Sequence, residues 1–152
     1  MPKIESNYIE LHIFNPYTGK FLLLKRASHK IYPGTWQMIT ATCENGETSK
    51  QTALRELSEE TSLNASKLFS IPHVNTFYFD INDSVCLSPV FLVFVDSENV
   101  KISDEHTDYK WVTYNDAIEL IHWPDQIESL NVIWRYLVNE TLRKKLVELE
   151  LS

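Results

Sequence analysis

The chain has 152 residues, 43% of them hydrophobic and 23% charged, which is the profile of an ordinary globular protein able to bury a sizeable core in a single domain, 1–152. A net charge of −7 argues against a general binder of nucleic acid or of anionic membranes, since both need a basic surface; a phosphate substrate stays open, because a bound divalent cation supplies positive charge locally. Cys43 and Cys86 have no CxxC spacing and read as free thiols in a reducing compartment; the opening MPKIESNYIE carries no apolar signal segment and no apolar run has membrane-span length, so a cytoplasmic location is expected.

The segment from Asn7 to Phe14 is β-rich and partly alternating. Asn15 to Lys20 (NPYTGK) has turn chemistry, and Phe21 to Lys25 (FLLLK) is an apolar run of strand length, so the two strands are expected to form a hairpin. Ser28 to Thr35, with Pro33-Gly34, reads as loop, and Trp36 to Cys43 as one strand. After the turn at Glu44 to Glu47, Thr48 or Ser49 is placed to cap a helix running to about Glu60, with Ala53, Leu54 and Leu57 as its buried stripe. Thr76 to Ile81 and Val85 to Val95 read as strands joined at Asn82-Asp83, and Tyr109 to Val112 as a short one. Asn115 to Ile121 suits a short helix. Gln126 to Glu148 suits a long helix, with Ile127, Leu130, Ile133, Trp134 and Leu137 inward. Hairpins and irregular alternation predict a mixed sheet flanked by helices.

The chemistry concentrates in Arg55 to Glu60 (RELSEE). On a helix, Glu56, Glu59 and Glu60 stand at i, i+3 and i+4 and emerge on one side, while Leu57 faces roughly the opposite way, into the protein. Three converging carboxylates repel and raise each other's pKa values; a hard divalent cation removes that penalty, and Mg²⁺ or Mn²⁺ takes such oxygen ligands. Taken alone, a Glu-rich turn is more often a solvated face, and Arg55 could simply pair with Glu59 four residues on. The longer pattern is decisive. Glu47 precedes Arg55 by eight positions, and the stretch from Ala41 to Leu63 reads ATCENGETSKQTALRELSEETSL.

This stretch resembles the Nudix box, in which a Gly is followed after five residues by Glu, and after seven more by Arg-Glu-apolar-x-Glu-Glu-x-Gly-apolar. Glu47, Arg55, Glu56, Leu57, Glu59, Glu60 and Leu63 occupy the required positions; Ala41 and Ser62 stand where the family has Gly. The resemblance implies an α/β fold, the Nudix αβα sandwich, over essentially the whole chain. It implies a Mg²⁺ (or Mn²⁺) site built from Glu56, Glu59, Glu60 and the Ala41 carbonyl, with Glu47 and Arg55 as a supporting pair. A carbonyl survives the change to Ala wherever φ is negative, and Ser in a left-handed cap costs about 1 kcal/mol, so neither departure removes a metal-binding side chain.

A second acidic segment, SDEHTDYKW from Ser103 to Trp111, also resembles the family, which implies that Glu105 reaches the metal centre; whether Glu59 or Glu105 takes the proton stays open. Lys25-Arg26, Trp36 to Thr40 and EHTDYKWV look most like dihydroneopterin triphosphate diphosphatases, some of whose relatives act on dATP. That likeness implies Lys25 and Arg26 as triphosphate contacts, and Trp36 and Phe79 as stacking partners for a pterin or purine. The function expected is pyrophosphohydrolysis of a nucleotide or pterin triphosphate, with no nucleic-acid or membrane partner and a homodimer by family habit. The alternatives are hydrolysis of dinucleoside polyphosphates and a catalytically weak nucleotide-binding module.

Overall fold

A computed structural model describes residues 1–152. Strand β1 (Lys3–Glu5) is followed by β2 (Tyr8–Asn15), β3 (Lys20–Arg26), β4 (Trp36–Gln37) and β5 (Ile39–Thr42). Helix α1 (Ser49–Thr61) comes next, then β6 (Lys67–Phe79), β7 (Ser84–Phe94) and β8 (His106–Val112). The chain ends with α2 (Tyr114–Leu120), α3 (Pro124–Val138), the single turn α4 (Glu140–Arg143) and β9 (Val147–Leu149).

The strands form one mixed sheet. β2 runs parallel to β7, and β7 is antiparallel to β6. β2 and β3 do start as a hairpin, but they pair only at Phe14↔Phe21 and Asn15↔Lys20. Beyond that point they separate: β2 takes β5 through Tyr8↔Thr42 to Leu11↔Ile39, and β3 takes β4 and β8. A cleft opens where the hairpin splits, because backbone groups that leave one partner must find another.

Strand alternation assigns the two sheet faces. Ile9, Leu11 and Ile13 of β2 join Ala53 and Leu57 of α1 in one buried cluster. Phe14 joins Leu130, Ile133 and Leu137 of α3 in the other. The sheet is thus sandwiched between α1 and the α2/α3 layer, as the αβα expectation requires.

Three expectations need correction. Trp36 to Cys43 is not one strand: it is interrupted at Met38, so β4 pairs with β3 and β5 with β2. The long terminal helix stops at Val138. Asn139 caps a fresh turn through its Oδ1, which accepts from Leu142 N at 3.0 Å, and the chain then returns as β9 along β6. β6 begins at Lys67, well before Thr76, with a register shift between Ser70 and Val74. No helix is long and apolar enough to cross a membrane.

Candidate active site

α1 begins at a capping box. Thr48 accepts from Gln51 N, and the Gln51 side chain accepts from Thr48 N, which satisfies two otherwise orphaned donors. It ends at Ser62, whose φ of 61° is left-handed and whose N–H returns to Ser58 O at 2.9 Å. The helix is pinned at both ends, and Leu57 anchors its inner side at 1% exposure.

Arg55 organises the opposite side. Its Nε and Nη2 donate to the two oxygens of Glu47 at 2.6 and 2.9 Å, a bidentate clamp between helix and preceding turn. Nη1 reaches Glu56 at 2.8 Å, Glu59 at 3.1 Å and Glu44 at 3.6 Å. The guanidinium and a backbone N–H from Glu44 hold the Glu47 carboxyl down at about 2, and Glu47 in turn pushes the Arg55 pKa upward. Burial pushes Glu56 up against the pull of Arg55, with Glu60 and Glu59 adding to the rise.

Glu60 has turned elsewhere. It is buried, and its Oε2 accepts from Ser103 Oγ at 2.8 Å and lies 3.0 Å from His106 Nδ1. Burial works to raise this carboxyl, but the hydrogen bonds from His106 and Ser103 outweigh burial and hold it low. Glu56 and Glu59 therefore meet on Arg55 Nη1, while Glu60 is held apart by His106 and Ser103. No three acidic, histidine or cysteine side chains meet in a metal-holding arrangement. Arg55 lies against Glu56 and Glu59, and His106 against Glu60. In donor chemistry the set fits a hard divalent cation: Glu56 shares a polar cavity of about 320 Å³ with Ala41 and Glu105, all three offering oxygen. Ala41 sits in β5 outside the positive-φ residues, so its replacement of Gly introduces no strain.

The other residues expected at the site divide. Arg26 lines this cavity, and its Nε donates to Ile31 O at 2.7 Å. Lys25 and Trp36 line neither this cavity nor the larger one beside it; Trp36 packs on the α3-side core, with Lys25 and Lys110 over its ring at 6.0 and 4.9 Å. Phe79 lines the larger cavity. Sequence reasoning missed Lys30, whose Nζ meets Glu105 at 3.1 Å, and Glu44; both line the polar cavity.

The larger cavity, about 480 Å³, shares Arg26, Gln37 and Thr40 to Thr42 with the polar one, so β5 is a common wall. Its sides carry Tyr8, Phe77, Phe79, Tyr32 and Trp123. Its polar residues include Glu10, Asn75 and Gln126, all more than nine-tenths buried. An aromatic chamber thus adjoins a charged one.

The family model described as NUDIX domain matches residues 11–132. The chain belongs to the NUDIX family. It is 30% identical over 145 residues to a dihydroneopterin triphosphate diphosphatase of Haemophilus influenzae, covering 84% of each chain. It is also 30% identical over 131 residues to an asymmetrical bis(5'-nucleosyl)-tetraphosphatase of Sus scrofa, covering 82% of this chain and 78% of that one. A MutT protein from Methanosarcina mazei Go1 shares the fold with a TM-score of 0.74 at 23% identity, over 91% of this chain and 98% of that chain. Nudix membership and these relatives make the chain a hydrolase acting on phosphoanhydride bonds. Nudix hydrolases generally use divalent metals.

Proposed function

We propose that this Nudix domain, spanning 1–152, is a Mg²⁺- or Mn²⁺-assisted pyrophosphohydrolase. Its substrate is a nucleoside-triphosphate-like small molecule, dihydroneopterin triphosphate or a (d)NTP, and its products are a monophosphate and pyrophosphate. One observation carries the reading: a carboxylate-bearing polar cavity and an aromatic-lined cavity of ring size meet along β5. A polyphosphate fits beside Glu56 and Glu105, and its ring lies between the aromatic walls.

Glu56, Glu59 and the Ala41 carbonyl, with Glu105 lining the same cavity as Glu56, would hold the metal, which would supply positive charge to neutralise the polyphosphate and favour attack by water. The rest falls to the chain's own groups. Arg26 and Lys30, lining the polar cavity, place positive charge beside the phosphates. Arg55 holds the turn at Glu44 to Glu47 against α1, so that Glu56 keeps its position when a charged substrate enters. Glu60, fixed by His106 and Ser103, ties β8 and its preceding loop to the last turn of α1. Glu59 or Glu105 receives the proton of the attacking water. Glu59 stands on the exposed edge of the helix, and Glu105 is paired with Lys30.

The test is a panel of dihydroneopterin triphosphate, nucleoside triphosphates and dinucleoside tetraphosphates, assayed with Mg²⁺ for pyrophosphate and for mononucleotide products. Pyrophosphate release from the triphosphates is expected. Preferential cleavage of the tetraphosphates would favour the second reading, to which the Sus scrofa relative points. Binding without turnover across the panel would reduce the chain to a nucleotide-binding module.

A further inference from the structure

The larger cavity is aromatic-walled, but its buried polar groups are unusually specific. Glu10 is 1% exposed. Its Oε1 accepts from Asn75 Nδ2 at 2.8 Å and its Oε2 faces His12 Nε2 at 2.7 Å. A carboxylate only accepts, so both neighbours donate, and each oxygen keeps a further lone pair. Gln126, near the start of α3, is 8% exposed, and its side-chain Oε1 has no hydrogen-bond partner. Both residues line the same cavity. A buried acceptor without a donor costs free energy that a suitable ligand recovers.

We infer that Glu10 and Gln126 select a ring presenting a contiguous run of N–H donors, the 2-amino-4-oxopyrimidine edge shared by guanine and pterin. This rests on the substrate site proposed above and names the ring that site takes. Such an edge carries a ring N–H and an adjacent amino group, three hydrogens in a row. Two match the remaining lone pairs of Glu10 side by side, as bidentate recognition of a carboxylate requires. The third suits the orphaned Gln126 oxygen. Adenine presents an unprotonated ring nitrogen next to its amino group and sets a lone pair against the carboxylate. Hypoxanthine keeps the ring N–H but lacks the amino group, so it satisfies Glu10 only in part. His12 and Asn75 are positioning residues: they fix the carboxylate before the ring arrives.

Equilibrium titration of the unmodified chain with GMP, neopterin monophosphate, IMP and AMP tests this without relying on turnover. GMP or neopterin monophosphate should bind about 10- to 100-fold more tightly than IMP or AMP, the discrimination one bidentate pair supplies. Whichever of the first two binds tighter identifies the ring. In Glu10→Gln, the preference for GMP over IMP should collapse to within a few-fold. If the four ligands bind alike, or none binds at millimolar concentration, the inference is overturned; the unmodified chain decides this even if Glu10→Gln fails to fold. Selective GMP binding by a chain that hydrolyses no triphosphate would sink the proposed function and leave the ring site standing. Hydrolysis without selectivity would do the reverse.

Discussion

Glu60 with His106 and Glu10 with His12 are both buried acid–histidine pairs, at 3.0 and 2.7 Å. They sit on opposite faces of the sheet and border different cavities. Glu60 and His106 are 46 positions apart, and Ser103 adds a second donor to Glu60, so the pair tethers β8 and its preceding loop to α1, with His106 also lining the polar cavity. Glu10 and His12 are two positions apart on one strand, Asn75 of β6 adds a second donor to Glu10, and Glu10 borders the aromatic chamber. The same chemistry thus borders two different chambers, the charged one through His106 and the aromatic one through Glu10.

The contrast can be broken most directly at the glutamates that belong to neither pair. Glu56→Gln and Glu59→Gln should each lower kcat about 10²- to 10³-fold with the fold intact by circular dichroism. Phe79→Ala, in the ring chamber, should raise KM roughly 10-fold and change kcat little. Equal kcat losses for Phe79→Ala and Glu56→Gln would erase the division between a chemical face and a ring face.

The tether itself is tested by His106→Ala. Removing the imidazole leaves the buried Glu60 carboxylate with Ser103 as its remaining side-chain donor, and should cost about 3 kcal/mol in chemical denaturation. It should also change the acid limb. Hydrogen bonds hold the folded pKa of Glu60 below its ordinary 4.5, so this group stabilises the fold above 4.5 and loses that contribution as pH falls through the folded value. His106→Ala should therefore flatten stability against pH on the acid side. An unchanged acid limb would mean that burial dominates Glu60 and that the pair is no tether.

Glu47 offers a smaller version of the same test. Arg55 holds its carboxyl at about 2, so its contribution is full above 4.5 and disappears between about 4.5 and about 2. Glu47→Gln should remove that part of the pH dependence while Glu56 and Glu59 retain their contacts with Arg55. A stability curve that is unaltered between pH 4.5 and 2 would show that the clamp is idle.

The two pairs were not equally legible in the sequence. Much that is local to α1 could be read: a cap at Thr48 or Ser49, Ala53 and Leu57 as inner stripe with Leu54 only partly buried beside them, and the Glu47–Arg55 spacing all depend on residues within one turn and helix. The burial of Glu60 was not, because Ser103 and His106 arrive from a loop more than 40 residues later. Glu10 and His12 were obscured by a different effect. Polar residues alternating with Ile9, Leu11 and Ile13 ordinarily mark a solvated sheet face, yet Phe14 on that face packs against α3. Helical periodicity misled at the terminus for a related reason. Asn139 can cap a new turn, and pairing of Val147–Leu149 with β6 overrode the intrinsic preference of that segment. In β6, Pro72 and the register shift before Val74 interrupt the alternation that would have revealed its first half.

The smallest expected effect concerns the joint that carries the tether. Ser62 is left-handed at φ 61°, a conformation that costs an L-residue about 1 kcal/mol and costs glycine almost nothing. The turn cannot easily relax, because Thr61 Oγ1 donates to Leu57 O at 2.6 Å and accepts from Leu63 N at 3.1 Å, while Lys101 N donates to Thr61 O at 2.9 Å. That last bond leads into the loop delivering Ser103 and His106 to Glu60. Ser62→Gly should therefore relieve strain without moving the tether, raising stability by about 0.5 kcal/mol once the freer unfolded chain is counted. The corresponding rise in Tm is about 1–2 °C. Ser62→Val should lower it, since a β-branched residue fits this region worst. If glycine gave no gain in a chain whose Glu60–His106 pair was still present, the unfolded-state penalty would equal the native strain, and Ser62 would be neutral in the joint.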